Sequence, residues 1–588
     1  MTSRKVRKYL KAQQKARRRA QRDQTRGTDT QVASTPNDRV VRAAPTVAVL
    51  AGLGLIATVV GSAAMEMTGE TQEQPVVLEP HAVAGPEVAE TLTCPSVPGR
   101  PETLSEQGVL EYEERDDSAA ANTTAMVFAA TDGKFPAVEW FALDDQGRGE
   151  AENLISEGNR DDATEGPLAD RPFISGEFET EEGVHLLEVE PLPGRSPSRA
   201  AVAAAAYSYS ADSGPVTGLT AGMCDAPGRS QWFLGPETGA GANSLLTLAN
   251  PHSRDATAEV RTYDADGDTG MLGSATVLIP QNSVRTVNVA GIAEPDSEIA
   301  VHVQASGAPV AGHLQSASAA GGSGLGVEVL TALPGPQQQH IAVGVPAGSE
   351  EDPQLWFYAP GDESVTVELQ VFGPDGQVET DTPGVFTVEP GRVSAPGLHG
   401  LPSGTYDIVV NSDLPTLAAV RSAGDGQPVT VEVDPEPDPI AGEEIEAENQ
   451  EQERDPIADF SWSAAAEPLS AGSGAVLPRE HRTDLRFLAP SEDQQAQVTY
   501  RLLDSEGERT DDLVLEVPAG ASAEVTYDDL VDHSQDGGLA DLSAVIITAG
   551  EGEVFGGTVT RDEAGGFTST PIVPISPSAQ YVPLRVER

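Results

Sequence analysis

The chain has 588 residues, 92 Asp+Glu against 36 Lys+Arg, a formal net charge of −56, two cysteines and 5% aromatic residues. Sparse aromatics with 59 glycines and 45 prolines argue against helical bundles. Lysine is nearly absent past the N-terminal region and no cysteine lies at a zinc-ligand spacing, which disfavours lysine-based phosphoryl chemistry and a cysteine-zinc site.

Residues 1–42 form a basic tail with 13 Lys+Arg against 3 Asp+Glu. The segment RKVRKYLKAQQKARRRAQR, residues 4–22, suits a helix that rests on anionic lipid headgroups. Nucleic-acid binding is the competing reading. Tyr9 is its single aromatic and no recognisable module surrounds it, so no nucleic-acid partner is expected.

Residues 43–65, AAPTVAVLAGLGLIATVVGSAAM, carry no charge. At about 1.5 Å per residue they reach roughly 34 Å as a helix, enough for a hydrocarbon core of about 30 Å. Residues 66–588 then carry 23 basic against 89 acidic residues. A basic flank before the span and an acidic bulk after it place the N-terminus in the cytoplasm and the bulk outside. A cleaved signal peptide is the alternative, with Ser62 and Ala64 at cleavage-like spacing. The long basic region and long apolar stretch favour a retained single-pass anchor.

A Pro/Glu-rich stalk is expected over 66–93. Beyond it, one pattern recurs four times: a short apolar strand, a gap, an alternating strand, and an acidic turn ending in glycine. The copies span 124–147, 244–267, 355–376 and 485–507, and close on Gly147, Gly267, Gly376 and Gly507. A second block of two strands around a tight turn follows each, at 207–221, 301–315, 408–421 and 545–559. Its small residues Gly218, Gly312, Ala418 and Gly556 predict close backbone packing. The second copy reads as eight strands with alternating inward valines, Val287 and Val289 around Asn288, Val301 and Val303 around His302.

The predicted architecture is therefore all-β: tandem immunoglobulin-like antiparallel β-sandwiches after one N-terminal transmembrane helix. The units run 94–224, 225–337, 338–470 and 471–588. A propeller fits less well, since its blades are about 40–50 residues long. Residues 434–456 hold ten acids and one arginine between positions 434 and 455, which predicts a disordered insertion in the third unit. Cys94 and Cys224 flank the first unit, and an oxidising exterior predicts a disulfide between them.

Catalytic signals are weak. Asp264, Asp266 and Asp268 resemble a calcium loop, but Thr269 and Ala275 stand where an EF-hand needs Gly and Glu. The same place in other copies reads as an ordinary hairpin turn. His81, His185, His252, His302, His313, His340, His399, His481 and His533 form no HExxH. GGSGLG at 321–326 is neither a nucleophile elbow nor a phosphate loop. Acid pairs are too numerous for any one to stand out as a glycosidase dyad. No catalytic, cofactor-binding or metal-ligating residue is assigned, no cofactor is expected and no small-molecule substrate is identified.

The layout of basic tail, anchor, early Cys-Pro and then CDAPGRSQWFLGPETGAGANSLLTLANP at 224–251 resembles a family of actinobacterial membrane-anchored extracellular proteins of unknown function. Cys224, Trp232, Phe233 and Asn250-Pro251 carry the resemblance. It implies an envelope location and no established activity. The expected function is a non-enzymatic cell-envelope scaffold or binding protein, with the membrane, wall components or envelope proteins as partners. An envelope glycan-processing enzyme with an acidic cleft is the alternative.

Overall fold

The computed structural model describes residues 82–84, 89–99, 119–155, 158–159, 166–180, 183–194, 199–268, 274–294, 298–320, 323–348, 351–424, 429–433, 450–454, 457–575 and 581–583. The basic tail and the apolar run 43–65 lie outside them. Among the described residues no helix is long and apolar enough to cross a membrane. Ala82–Arg588 form one compact unit.

That unit is built of antiparallel sheets that face each other in pairs. In the first pair, strands Gly218–Met223, Val202–Ala211, Ala120–Phe128 and Phe173–Glu179 lie in that order. They face Glu90–Cys94, Val184–Val189, Val138–Leu143 and Glu152–Ile155 across a core that includes Val127, Trp140, Leu187 and Ala205. The stalk therefore ends earlier than 93. Alternation in Glu90–Cys94 suits an edge strand, and the segment pairs with Val184–Val189. The disulfide Cys94–Cys224 ties this strand to the end of the facing sheet, with Cα atoms 4.6 Å apart.

The second pair holds all eight strands read from its sequence, Ser230–Glu237 to Ser323–Leu330, plus the two-residue strand Gly267–Asp268. Val301 and Val303 are buried, and His302 between them stacks on Trp232 at 3.9 Å. In the third pair one 20-residue strand, Gly404–Ala423, runs through the tight turn expected within 408–421 and serves both sheets. Its first half pairs with Gln337–Ala347 and Val365–Gly373, its second with Gln354–Tyr358 and Phe460–Ser463. The fourth pair centres on Arg482–Ala489 with Phe555–Arg561, facing Ala496–Leu503 with Ala544–Glu551.

Two further local expectations change. Gln450–Arg454 pairs antiparallel with Val429–Val433, so disorder does not extend over that part of 434–456; the alternating VTVEV segment supplies a strand edge. Residues 434–449 and 455–456 lie outside the described residues. A ten-residue helix, Tyr527–Asp536, interrupts the all-β pattern. Thr526 caps it, and Asp529 completes the capping box by accepting the Thr526 N–H.

The turn glycines behave as the repeat requires. Gly147, Gly267, Gly376 and Gly507 have φ of 138°, 114°, 115° and 97°, where a Cβ is strained. The Asp264 carboxylate accepts the N–H groups of Asp266 and Gly267 at 2.8 and 3.0 Å, as Asp144 does for Gln146 and Gly147. Asp264 is thus committed to its own turn. Gly267→Val should cost on the order of 1 kcal/mol. Asp266→Ala, at an exposed position, should cost less than about 0.5 kcal/mol. Urea denaturation of both variants checks the order, and added calcium should move neither midpoint beyond a salt effect.

The sandwiches close into a circuit. The first packs on the second through Phe141, Leu186, Ala249 and Ala311, and the second on the third through Val301, Trp356 and Trp462. The third packs on the fourth through Ile341, Phe372, Leu488 and Phe555. There the buried Asp407 accepts from Arg486 Nε at 2.8 Å and from Ser522. The fourth returns to the first through Met126, Phe128, Val476 and Ile546, with Arg479–Glu177 and Arg501–Asp170 ion pairs at 2.7 Å.

Candidate functional site

A late strand of each sandwich lies at a sheet edge: Gly218–Met223, Ser323–Leu330, Phe460–Ser463 and Phe567–Pro571. An edge strand exposes unpaired backbone groups. Here the four edges turn inward and neighbour one another in a closed ring. Small residues permit it. A Cβ on Gly218 would come within 2.9 Å of the Val327 nitrogen, and one on Gly326 within 2.9 Å of the Phe460 nitrogen. Of the four small residues expected to allow close packing, Gly218 stands at this junction, whereas Gly312 and Gly556 meet Phe233 and Phe487 of their own sandwiches.

Two buried carboxyl groups hold the ring. Asp459 accepts the backbone N–H of Leu219 at 2.9 Å, Val327 at 3.4 Å, Phe460 at 2.9 Å and Phe567 at 3.0 Å. Every sandwich contributes one donor. One step along the strands, Glu328 accepts from the Thr220 hydroxyl, from Thr568 Oγ1 at 3.0 Å and from the Val329 N–H at 3.2 Å. Burial pushes both acids up, Glu328 to about 7, against the pull of these donors.

Above Glu328 the ring opens into a cavity of about 280 Å³. Its walls again come from all four sandwiches, among them Tyr207, Leu234, Trp462 and Val573. The Tyr207 hydroxyl donates to the Val329 carbonyl at 3.0 Å. At the mouth stands Asp225. Its backbone is fixed by Thr93, whose N–H and hydroxyl donate to the Asp225 carbonyl at 2.8 and 2.7 Å, and by the adjacent disulfide. Burial pushes its carboxyl to about 7. Among the described residues no lysine, arginine or histidine lines the space.

Titration of the floor has a measurable consequence. Glu328 rises from 4.5 to about 7 on folding, so its contribution is complete below pH 4.5 and is lost as the pH rises towards 7. The effect is about 3 kcal/mol across that window. Buried His313, pushed down from 6.5 to about 4, works the other way: its contribution is complete above 6.5 and is lost as the pH falls towards 4. Glu328→Gln should therefore lose stability more steeply than the parent on acidification from pH 7 to pH 5, and His313→Gln less steeply. Urea denaturation at both pH values tests this; a Glu328→Gln curve parallel to the parent's contradicts proton retention at the floor.

The remaining sequence candidates are scattered. Among the described residues no group of three His, Cys, Asp or Glu is placed to hold a metal. His185 stacks on Trp140, and His399 pairs with Asp352 at 2.7 Å on the surface. The residues that carry the resemblance support the scaffold: Phe233 is fully buried, and the Asn250 amide donates to the carbonyls of Arg254, Ile279 and Pro280. The junction itself has a faint signal in the sequence, a small residue before each inward-turned pair: Gly218-Leu219-Thr220, Gly326-Val327-Glu328, Ala458-Asp459-Phe460 and Gly566-Phe567-Thr568.

A model of a family of unknown function, DUF5719, matches residues 192–528, more than half of the chain. The chain belongs to this family. The DUF5719 match includes Cys224, Asp225, Glu328 and Asp459, and three of the four junction strands; Phe567–Pro571 and Cys94 lie beyond it. No curated protein matches the chain.

Proposed function

We propose that this DUF5719 protein is a non-enzymatic, membrane-anchored protein of the actinobacterial cell envelope, a scaffold or binding protein for wall components or envelope proteins. Residues 43–65 cross the membrane once, the basic tail stays in the cytoplasm, and the acidic β-rich bulk stands outside. The observation that carries the reading is the Cys94–Cys224 disulfide, which uses both cysteines of the chain. Disulfides persist in oxidising compartments and are rare in the cytosol. The charge reversal across residues 43–65 supports the same orientation.

A glycan-processing enzyme is the second reading, favoured by two carboxyls at one cavity that burial brings to about 7. The hydrogen bonding weighs against it. Both Glu328 oxygens are engaged by Thr220 and Thr568, which leaves Asp225 without a free second carboxylate.

On intact wall-stripped cells, a tag after Arg588 should be removed by added protease and a tag after Met1 should survive. Cleavage of the N-terminal tag would overturn the orientation. Release of sugars from wall fragments, lost in Asp225→Asn, would overturn the non-enzymatic reading.

A further inference from the structure

We propose that the cavity at the four-sandwich junction binds a small organic ammonium compound that has a compact apolar body and an oxygen acceptor near its charge. The inference stands on the cavity and is independent of where the chain sits in the cell.

Size sets the first limit. About 280 Å³ is the liquid volume of about nine waters and lies just under the usual range of ligand pockets. Charge sets the second. Among the described residues the lining carries the carboxyls of Asp225 and Glu328 and no basic side chain, so an anion would enter without a counter-charge from them. Glu328 is already satisfied by its hydroxyl and N–H donors. The Asp225 side chain has no hydrogen-bond or ionic partner among the described residues, while its backbone is clamped by Thr93. A carboxyl on a clamped backbone, lining an otherwise mostly apolar space, suits an ammonium group.

Polar groups deeper in the wall set the third limit. Among the described residues, Trp462, 7% exposed, has no hydrogen-bond partner for its indole Nε1, and Ser463, 2% exposed, has none for its hydroxyl. Buried donors without acceptors are costly; both residues line the cavity, and a ligand oxygen that reaches either donor relieves that cost. A purely apolar ligand would leave Asp225, Trp462 and Ser463 all unsatisfied. A metal ion alone would find a single uncommitted carboxylate, too few ligands for a hard cation.

The test uses the full chain in mild detergent and three probes of one shape: 2-amino-1-phenylethanol, 1-phenylethane-1,2-diol and mandelate. They present an ammonium, a hydroxyl and a carboxylate on the same hydroxybenzyl body. Calorimetry should show the ammonium probe binding at least tenfold more tightly than the diol, with no binding of mandelate. Asp225→Asn should reduce the ammonium probe to the level of the diol, and Ser463→Ala should weaken it several-fold. Asp145→Asn, at an exposed turn, should change nothing. Ala226→Trp at the exposed mouth should block entry while keeping the parent's melting temperature, which covers the case of an unfolded Asp225→Asn. No binding of the ammonium probe, equal binding of the diol, or full affinity in both Asp225→Asn and Ala226→Trp overturns the proposal.

Discussion

Replacing Asp459 with alanine should destabilise the protein by about 4 kcal/mol and split its single unfolding transition. The carboxylate accepts four N–H groups, those of Leu219, Val327, Phe460 and Phe567, one from each sandwich. Each buried donor left without an acceptor costs about 1–3 kcal/mol. Removing the carboxylate also removes the cost of burying it, which offsets part of that sum. The loss falls on contacts between sandwiches and spares their individual cores. Scanning calorimetry should therefore show two or more overlapping transitions where the parent shows one. A loss below about 1 kcal/mol with an unchanged single transition would show that apolar packing alone holds the junction.

Loss of the disulfide should have an effect of similar size. Cys94 and Cys224 close a loop with a sequence separation of 130. The chain-entropy account gives about 4–5 kcal/mol for a loop of this length. The bridge joins Glu90–Cys94, an edge strand, to the segment that follows Gly218–Met223, so its loss frees the N-terminal end of the first sandwich. It also loosens the backbone next to Asp225. Guanidinium denaturation of the Cys94→Ser, Cys224→Ser double variant should show the lower midpoint, and the same shift should follow reduction of the parent. A midpoint unchanged in both would mean that the first sandwich is already constrained without the bridge.

These two effects expose different kinds of information in the chain. The disulfide was readable because the chain has two cysteines and a repeat that set both at the ends of one unit. Strand identity was readable for the same local reason. Alternation in EIAVHVQAS puts Val301 and Val303 inside with His302 half-buried between them, and an acidic residue near a glycine makes the turns at Gly147, Gly267 and Gly507. Period-two side-chain placement and positive-φ turns act over a few residues, so a few residues reveal them. The helix Tyr527–Asp536 was missed although its capping box, Thr526 to Asp529, is equally local; the surrounding β pattern masked it.

The charge reversal around residues 43–65, the β class, the four repeated turns and the cysteine pair are legible in the chain read residue by residue. Long-range packing makes four sandwiches, successive in the chain, into a closed circuit, with the fourth returning to the first through Arg479–Glu177 and Arg501–Asp170. It also decided which acids matter among 92. Asp459 draws donors from 240 and 132 residues upstream and 108 downstream, and Glu328 reaches Thr220 and Thr568 across 108 and 240. In sequence each is one carboxylate among many that solvent would satisfy. Folding turns four edge strands inward, removes water from these two positions and leaves Asp225 at the mouth of the space they enclose. Desolvation distinguishes them, and it depends on what packs around a residue, which no local pattern encodes.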